Sequence, residues 1–285
     1  MAENLTVEVL LARGRERLRA LPSGPEPPTA GLDAELLLAH TLGVPRARLK
    51  SHPESAVDPQ QARRFLELLG RRAGGEPLAY LTGRKGFWSL ELTVTPAALI
   101  PRPETELLVE RALALGPAGD ARVADLGTGA GAIALALARE RPRWRIVATD
   151  VAAPALALAR TNAAALGLTG VEFRQGDWFE ALTRERFDLL ISNPPYVGAR
   201  DPALRDPALA YEPRTALTPG EDALACLRIL ARGAAQHLAP GGWLLLEHGA
   251  TQAADVTHEL VLAGFTHVRS HRDLAGHERM TEGRR

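Results

Sequence analysis

Apolar positions recur at helical spacing over the first 85 residues. Leu5, Val9, Leu10 and Leu18 do so across Asn4–Leu21, with Arg13, Arg15, Arg17 and Arg19 between them, and predict an amphipathic helix whose arginines face solvent. The stretch Ser23-Gly-Pro-Glu-Pro-Pro28 breaks it, because stacked prolines lack the amides a helix needs. Leu36, Leu37 and Leu38 give a second helix, about Leu32–Leu42, a broad apolar face. A third opens on Asp58 as N-cap and Pro59 at the first helical position, buries Phe65, Leu66, Leu68 and Leu69, and stops at Gly74-Gly75. These elements predict a small helical bundle over residues 1–85.

Between 86 and 98 the period falls to two. Phe87, Leu90, Leu92 and Val94 alternate with polar and turn residues, which predicts a short hairpin linking two domains. A proline-rich segment follows, and Pro103 starts a helix that runs to about Leu115. From residue 120, strands alternate with helices. The strands fall at Arg122–Leu126, Arg145–Asp150, Val171–Gln175, Phe187–Ser192 and Trp243–Glu247. The helices fall at Ala130–Arg139, Pro154–Leu166, Asp222–Leu238 and Ala253–Leu262, and a final strand or two completes the chain. Such alternation predicts an α/β domain over 99–285, a mostly parallel sheet covered by helices on both faces. No internal repeat is visible.

The first strand of that sheet runs into Asp125-Leu-Gly-Thr-Gly-Ala-Gly131, and Asp150 closes the second. In a doubly wound sheet this layout puts a ligand over the strand ends. Glycines let the backbone approach it, the helix start favours an anionic group, and the acidic residue takes ribose hydroxyls. The run fits a dinucleotide site, with Gly127, Gly129 and Ala132, as well as an S-adenosylmethionine site, and glycines also serve as a plain strand-to-helix turn. Asp125, just ahead of the glycines, favours the second, since a carboxylate serves a pyrophosphate poorly. The fourth strand then ends in Ser192-Asn-Pro-Pro-Tyr-Val197, at the edge where such folds keep their reactive groups.

A strand ending in Asn-Pro-Pro-Tyr after such a loop resembles methyltransferases that modify planar nitrogens, either base exocyclic amines or glutamine amides. The chemistry matches the residue types. A delocalised NH₂ is a poor nucleophile, so catalysis rests on positioning it. The Asn193 side-chain carbonyl takes one N–H, the Pro194 backbone carbonyl takes the other, and proline holds the loop rigid. Tyr196 offers an aromatic wall, or is a core aromatic. The surrounding sequence resembles the PrmC/HemK family, the glutamine methyltransferases of peptide-chain release factors. The segments that carry the likeness are Ala79-Tyr-Leu-Thr-Gly83 with Phe87-Trp88, Ile100-Pro-Arg-Pro-Glu-Thr-Glu106, Asp125-Leu-Gly-Thr-Gly129, Asn193-Pro-Pro-Tyr196, Tyr211-Glu-Pro-Arg-Thr-Ala-Leu217 and Gly276-His-Glu-Arg-Met-Thr-Glu-Gly-Arg284.

That resemblance implies a Rossmann-like class I methyltransferase sheet, with S-adenosyl-L-methionine as cofactor and S-adenosyl-L-homocysteine as product. The substrate it implies is the glutamine of a Gly-Gly-Gln loop in class 1 release factors. It places cofactor contacts on Gly127, Thr128, Gly129, Ala130 and Gly131, on Asp150 for ribose, and on Trp178 against adenine. Asn193 touches cofactor and substrate, and Asn193, Pro194, Pro195 and Tyr196 hold the glutamine. Ribosomal-protein glutamine and adenine in nucleic acid are the nearest alternative substrates. A nicotinamide-dependent oxidoreductase has no use for Asn-Pro-Pro-Tyr, and a non-catalytic binding module has no need of it.

Composition narrows the partners. The chain has 285 residues and formal net charge +0, which speaks against a duplex nucleic-acid binder. Residues 1–85 hold 13 Lys+Arg against 10 Asp+Glu and the remainder 21 against 24, so a slightly basic half offsets a slightly acidic one. Neither half carries the field a nucleic-acid enzyme needs, and a protein substrate needs none. The one cysteine, Cys226, makes no internal disulfide, and no metal site is expected. His267, His271 and His277 read as surface histidines. With no apolar run long enough to span a bilayer and no basic-then-apolar start, the expectation is a cytoplasmic monomer with no membrane partner.

Overall fold

The computed structural model describes residues 5–19 and 29–285, in two compact units. One comprises residues 1–83 with Asp206–Tyr211, the other Arg84–Arg205 with Glu212–Arg285. The breaker at Ser23–Pro28 and the outer ends of the first helix, Asn4 and Ala20-Leu21, lie outside the described residues.

The first unit is helical: α1 (Val7–Arg19), α2 (Ala30–Leu42), α3 (Arg46–Ser51), α4 (Pro59–Ala73) and α5 (Leu78–Thr82). Asp58 caps α4 as expected, its Oδ1 accepting the amides of Gln60 at 2.8 Å and Gln61 at 3.3 Å. Leu10, Leu37, Leu38, Phe65 and Leu69 are fully buried at the centre; a buried Phe contributes about 2–3 kcal/mol. The arginine run is not wholly a solvated face, since Arg15 pairs at 3.5 Å with Glu35, which also binds Arg46 at 3.1 Å. The Tyr211 hydroxyl donates to the Gly74 carbonyl at 3.2 Å within this unit.

The second unit opens with a hairpin, β1 (Arg84–Phe87) and β2 (Leu90–Thr93), which starts two residues before the expected position. A 3₁₀ turn, Pro103–Thr105, leads into α6 (Glu106–Leu115). Then follow β3 (Arg122–Leu126), α7 (Ala132–Glu140), β4 (Arg145–Asp150), α8 (Ala153–Ala165), β5 (Glu172–Gln175), β6 (Phe187–Ser192), α9 (Arg214–Leu217), α10 (Ala225–His237), β7 (Leu238–Glu247), α11 (Ala253–Leu262), β8 (Thr266–Arg272) and β9 (Glu278–Arg284). The strands form one sheet in the order β5-β4-β3-β6-β7-β9-β8, parallel except where β9 runs antiparallel between β7 and β8. β7 begins earlier than its apolar run suggests: Leu238 pairs with Phe187 and Trp243 with Leu189, and the Pro240-Gly-Gly242 turn bulges between.

Two cores flank the sheet. One gathers α6, α7 and the hairpin around Leu108, Leu135, Ile146 and Phe87. The other gathers α10 and α11 around Leu230, Leu260, Phe187 and Leu244. In-register pairing of Leu126 with Thr149 and with Ser192 brings the carboxyl ends of β3, β4 and β6 to one edge, and the Ser192 hydroxyl fastens it by donating to Leu126 O at 2.7 Å. Among the described residues no helix is long and apolar enough to cross a membrane.

Candidate active site

A cavity opens over that edge. The β3–α7 loop supplies Gly127, Thr128, Gly129 and Ala130; Asp150 comes from β4, Trp178 from the turn after β5, and Asn193 and Pro195 from the segment after β6. Gly131 is not part of the lining. It sits in the left-handed region at φ 87° as N-cap of α7, where it packs against Leu135 and Ala159. Pro194 is buried outside the lining. Tyr196 also lies outside it, half-buried, with its ring on the β7 side of the sheet core and its hydroxyl donating to Glu247 Oε1 at 3.1 Å.

Alternate left-handed glycines let the loop turn tightly, with φ 75° at Gly127 and 57° at Gly129. Its amides face protein acceptors. Gly127 N and Thr128 N donate to Thr149 O at 2.9 and 2.8 Å, Gly131 N to Thr128 O at 2.9 Å, and Gly129 N to Asp150 Oδ2 at 2.9 Å. Asp150 Oδ1 accepts from Ala152 N at 2.9 Å. Burial raises the Asp150 pKa, and these amides oppose the rise. A Cβ on Gly127 would lie 3.4 Å from Trp178 Cζ3, so the bare glycine and the indole share one wall. Trp178 itself holds φ 42°, an uncommon conformation for so large a residue.

Asp125, just ahead of the glycine loop, does not line the cavity. It is fully buried and turned inward: Oδ2 accepts the Thr128 hydroxyl at 2.6 Å and Ala134 N at 3.2 Å, and Oδ1 has no partner. Burial pushes its carboxyl up to about 7. It therefore ties the loop to the first turn of α7 rather than touching the cavity.

Several lining residues had no role in the sequence reading. Leu99, Pro101, Arg102 and Thr105 come from the Pro-rich segment, and Thr215 and Ala216 from α9. Asn193 Nδ2 donates to Thr105 Oγ1 at 3.1 Å, which leaves Asn193 Oδ1 as an acceptor. Glu212 ties the two walls together by accepting from Ile100 N at 3.0 Å and from Arg102. The motifs that carry the family resemblance contain Thr105, Arg102 and Glu212, and that was their one signal. Glu247, which ends β7 and is fully buried, had none.

Among the described residues no group of three His, Cys, Asp or Glu side chains is placed to hold a metal ion. His267 and His277 are exposed, whereas His271 is half-buried with Nε2 3.1 Å from Glu282, because β8 turns it toward the β9 carboxylate.

The PrmC N-terminal domain matches residues 10–83, and the Methyltransferase small domain matches residues 103–206. The release factor glutamine methyltransferase of Xylella fastidiosa (strain Temecula1) is 52% identical over 254 residues, 89% of this chain and 92% of that protein. Its counterpart from Pseudomonas aeruginosa is 50% identical over 259 residues, 91% and 94% of the two chains. A solved methyltransferase from Pyrococcus furiosus superposes with a TM-score of 0.52 at 18% identity, covering 80% of this chain and 98% of that one, a likeness of fold alone. With half of its residues shared along nine-tenths of its length, this chain belongs to the release factor glutamine methyltransferase family.

Proposed function

We propose that this chain transfers a methyl group from S-adenosyl-L-methionine to the side-chain amide nitrogen of the Gly-Gly-Gln glutamine in class 1 peptide chain release factors. The observation that carries the cofactor reading is the state of the glycine-loop amides. A pyrophosphate needs backbone N–H groups aimed at it. Here Gly127, Thr128, Gly129 and Gly131 donate to protein acceptors, and the Asp150 carboxylate lines the cavity beside the loop. That carboxylate suits a ligand carrying ribose hydroxyls and disfavours a phosphate.

When bound, S-adenosyl-L-methionine supplies an electrophilic methyl group on a sulfonium sulfur. Asp150 would hold the ribose hydroxyls, and Trp178 would pack on the adenine. Asn193 Oδ1 accepts one N–H of the substrate amide, and the Pro194 carbonyl accepts the other. Pro195 stiffens the segment that Tyr196 anchors through Glu247. These contacts would aim the amide nitrogen at the methyl group that bound S-adenosyl-L-methionine would supply, the sulfur leaving with the S–C electrons and the surplus amide proton passing to solvent. Asn193 is neutral and acts by position. The helical unit, which ends at Gly83 rather than at residue 85, recruits the release factor; the hairpin expected as a linker is instead part of the methyltransferase unit, and the enzyme works as a cytoplasmic monomer.

The test is incubation with methyl-labelled cofactor and a purified release factor, with the modified residue mapped by mass spectrometry. Label on the Gly-Gly-Gln glutamine is the expected result; an unmodified glutamine, with S-adenosylhomocysteine still binding, removes the substrate assignment. Tight binding of NADH in place of S-adenosylhomocysteine removes the cofactor assignment.

A further inference from the structure

The segment after β6 is stiff but has no amides at its centre. Asn193 and Pro194 each precede a proline and are confined to extended backbone, while Pro194 and Pro195 have fixed φ and no N–H. Residues 193–195 therefore behave as a short rod whose far end is placed by the next peptide, Tyr196–Val197. That peptide is held on both sides. The Val197 amide donates at 3.1 Å to the carbonyl of Leu217, which ends α9 just after the cavity residues Thr215 and Ala216. The Tyr196 carbonyl accepts from Gln252 Nε2 at 3.0 Å. The Tyr196 hydroxyl, which donates to Glu247 Oε1, holds the ring but leaves the peptide free to rotate.

Gln252 fills its place in one orientation only. Its Oε1 accepts the Gly249 amide at 2.8 Å while its Nε2 donates to the Tyr196 carbonyl. A backbone N–H only donates and a carbonyl only accepts, so a flipped amide would set donor against donor and oxygen against oxygen. The turn that carries Gln252 is fixed in its own right. Gly249 O accepts Gln252 N at 2.9 Å and His248 Nδ1 at 2.9 Å. His248 is fully buried, and its Nε2 lies 2.9 Å from Thr281 Oγ1 of β9. The Tyr196 carbonyl is thereby tied through Gln252 and Gly249 to the far side of the sheet.

We propose that Gln252 is a positioning residue for the methyl transfer: by holding the Tyr196 carbonyl it sets where the Asn193 and Pro194 carbonyls meet the substrate amide. This deepens the proposed function and rests on its reading of those two carbonyls as the acceptors of the glutamine N–H groups. Gln252 is half-buried and lies outside the cavity lining, 56 residues along the chain from Tyr196, so it acts through that residue alone. A stiff segment passes a displacement at Tyr196 back to Pro194 undiminished, and a misplacement of an ångström costs a reaction that depends on alignment about 10²-fold. The cofactor walls, Gly127, Asp150 and Trp178, have no part in this tie. Loss of Gln252 therefore lowers turnover and spares cofactor binding.

Tyrosine precedes valine once in the chain, at Tyr196-Val197, because Tyr80 precedes Leu81 and Tyr211 precedes Glu212. Labelling with ¹³C-carbonyl tyrosine and ¹⁵N-valine therefore gives a single carbonyl–amide correlation, which reads this peptide in the full-length protein without substrate. Gln252→Met removes both hydrogen bonds at similar size, and Gln252→Glu keeps the acceptor for Gly249 while losing the donor to Tyr196. The correlation should move in both. On a release factor that the wild type methylates, kcat should fall by about tenfold or more, with KM and S-adenosylhomocysteine affinity within about twofold of wild type. A correlation that stays in place, a kcat within about twofold of wild type, or a loss of kcat matched by an equal loss of S-adenosylhomocysteine affinity overturns the proposal. Gln252→Glu decides if Gln252→Met fails to fold. A wild type that methylates no release factor removes the proposed function and this proposal with it; a wild type that does, beside variants of unchanged kcat, removes this proposal alone.

Discussion

Glu212 Oε2 accepts the Ile100 amide at 3.0 Å while the same carboxylate holds the Arg102 guanidinium, joining segments 112 residues apart in sequence. Leu99, Pro101 and Arg102 line one side of the cavity, and Thr215 and Ala216 line another just after Glu212. The carboxylate is 6% exposed, so removing it strands a buried amide and a largely covered arginine. Glu212→Ala should cost about 2–4 kcal/mol in urea unfolding. It should also weaken S-adenosylhomocysteine binding by about tenfold in calorimetry as the two walls part. Glu212→Gln keeps an acceptor for Ile100 and should fall between. A stability loss with unchanged affinity would restrict Glu212 to a structural role.

Asn193 separates binding from turnover. Its side chain touches the cavity through one amide, whereas the cofactor pocket draws on the glycine loop, Asp150 and Trp178. Asn193→Ala should lower kcat by about 10²–10⁴-fold, the scale of lost positioning. Cofactor affinity should fall by less than about tenfold. Steady-state kinetics on a release factor, paired with a binding titration, checks both. Equal losses in the two would contradict a positioning role.

The parts of this site that could be read from sequence sit at strand ends. Gly127 to Ala130 and Asn193 each follow a strand whose apolar run is unambiguous, Asp150 ends one, and parallel pairing stacks those ends at one edge. Thr105 and Glu247 could not be found this way. Their partners Asn193 and Tyr196 lie 88 and 51 residues away, and such contacts leave no local periodicity. Asp125, next to the glycines in sequence, is kept out of the cavity, because strand alternation turns its carboxylate inward to Thr128 and Ala134. α3 and α5 escaped notice because six and five residues are too few to display a helical repeat. The hairpin was legible by its alternation, but its anchor was not: Asn162 of α8 exchanges hydrogen bonds with both backbone groups of Thr93 and donates to Ala130 O.

Gly131 and Gly167 share a left-handed conformation but not a setting, with φ 87° and 69°. A Cβ on Gly131 would meet Leu135 Cδ1 at 3.1 Å and Ala159 Cβ at 3.2 Å, whereas one on Gly167 meets nothing within 4 Å. Gly167→Ala should therefore cost only the backbone penalty, about 1 kcal/mol. Gly131→Ala adds crowding against a neighbour that cannot rotate away and should cost about 2–3 kcal/mol. The difference between the two unfolding free energies isolates packing at the start of α7. Equal costs would mean that Leu135 and Ala159 yield freely.

Buried carboxylates give the stability of the fold an unusual pH dependence. Asp125 and Glu247 are both pushed up to about 7 by burial, above the ordinary values of 3.8 and 4.5. Because the folded state holds these protons more tightly, the stability they contribute is complete below the ordinary values and is lost as pH rises toward 7. Glu172 and Glu185 are lowered by Arg174, so their contribution is lost in the opposite direction, as pH falls below the ordinary carboxylate range. Tm should consequently peak near pH 5 and decline toward pH 8, with about 1.4 kcal/mol at stake per unit of displacement. Asp125→Asn cannot titrate, and its amide nitrogen would occupy a position that has no partner now. Its Tm should be lower overall, but the decline between pH 5 and 8 should be shallower than in the wild type. A differential scanning series across that range reads the slope directly, and an Asp125→Asn slope equal to that of the wild type would show that Asp125 is ionised throughout.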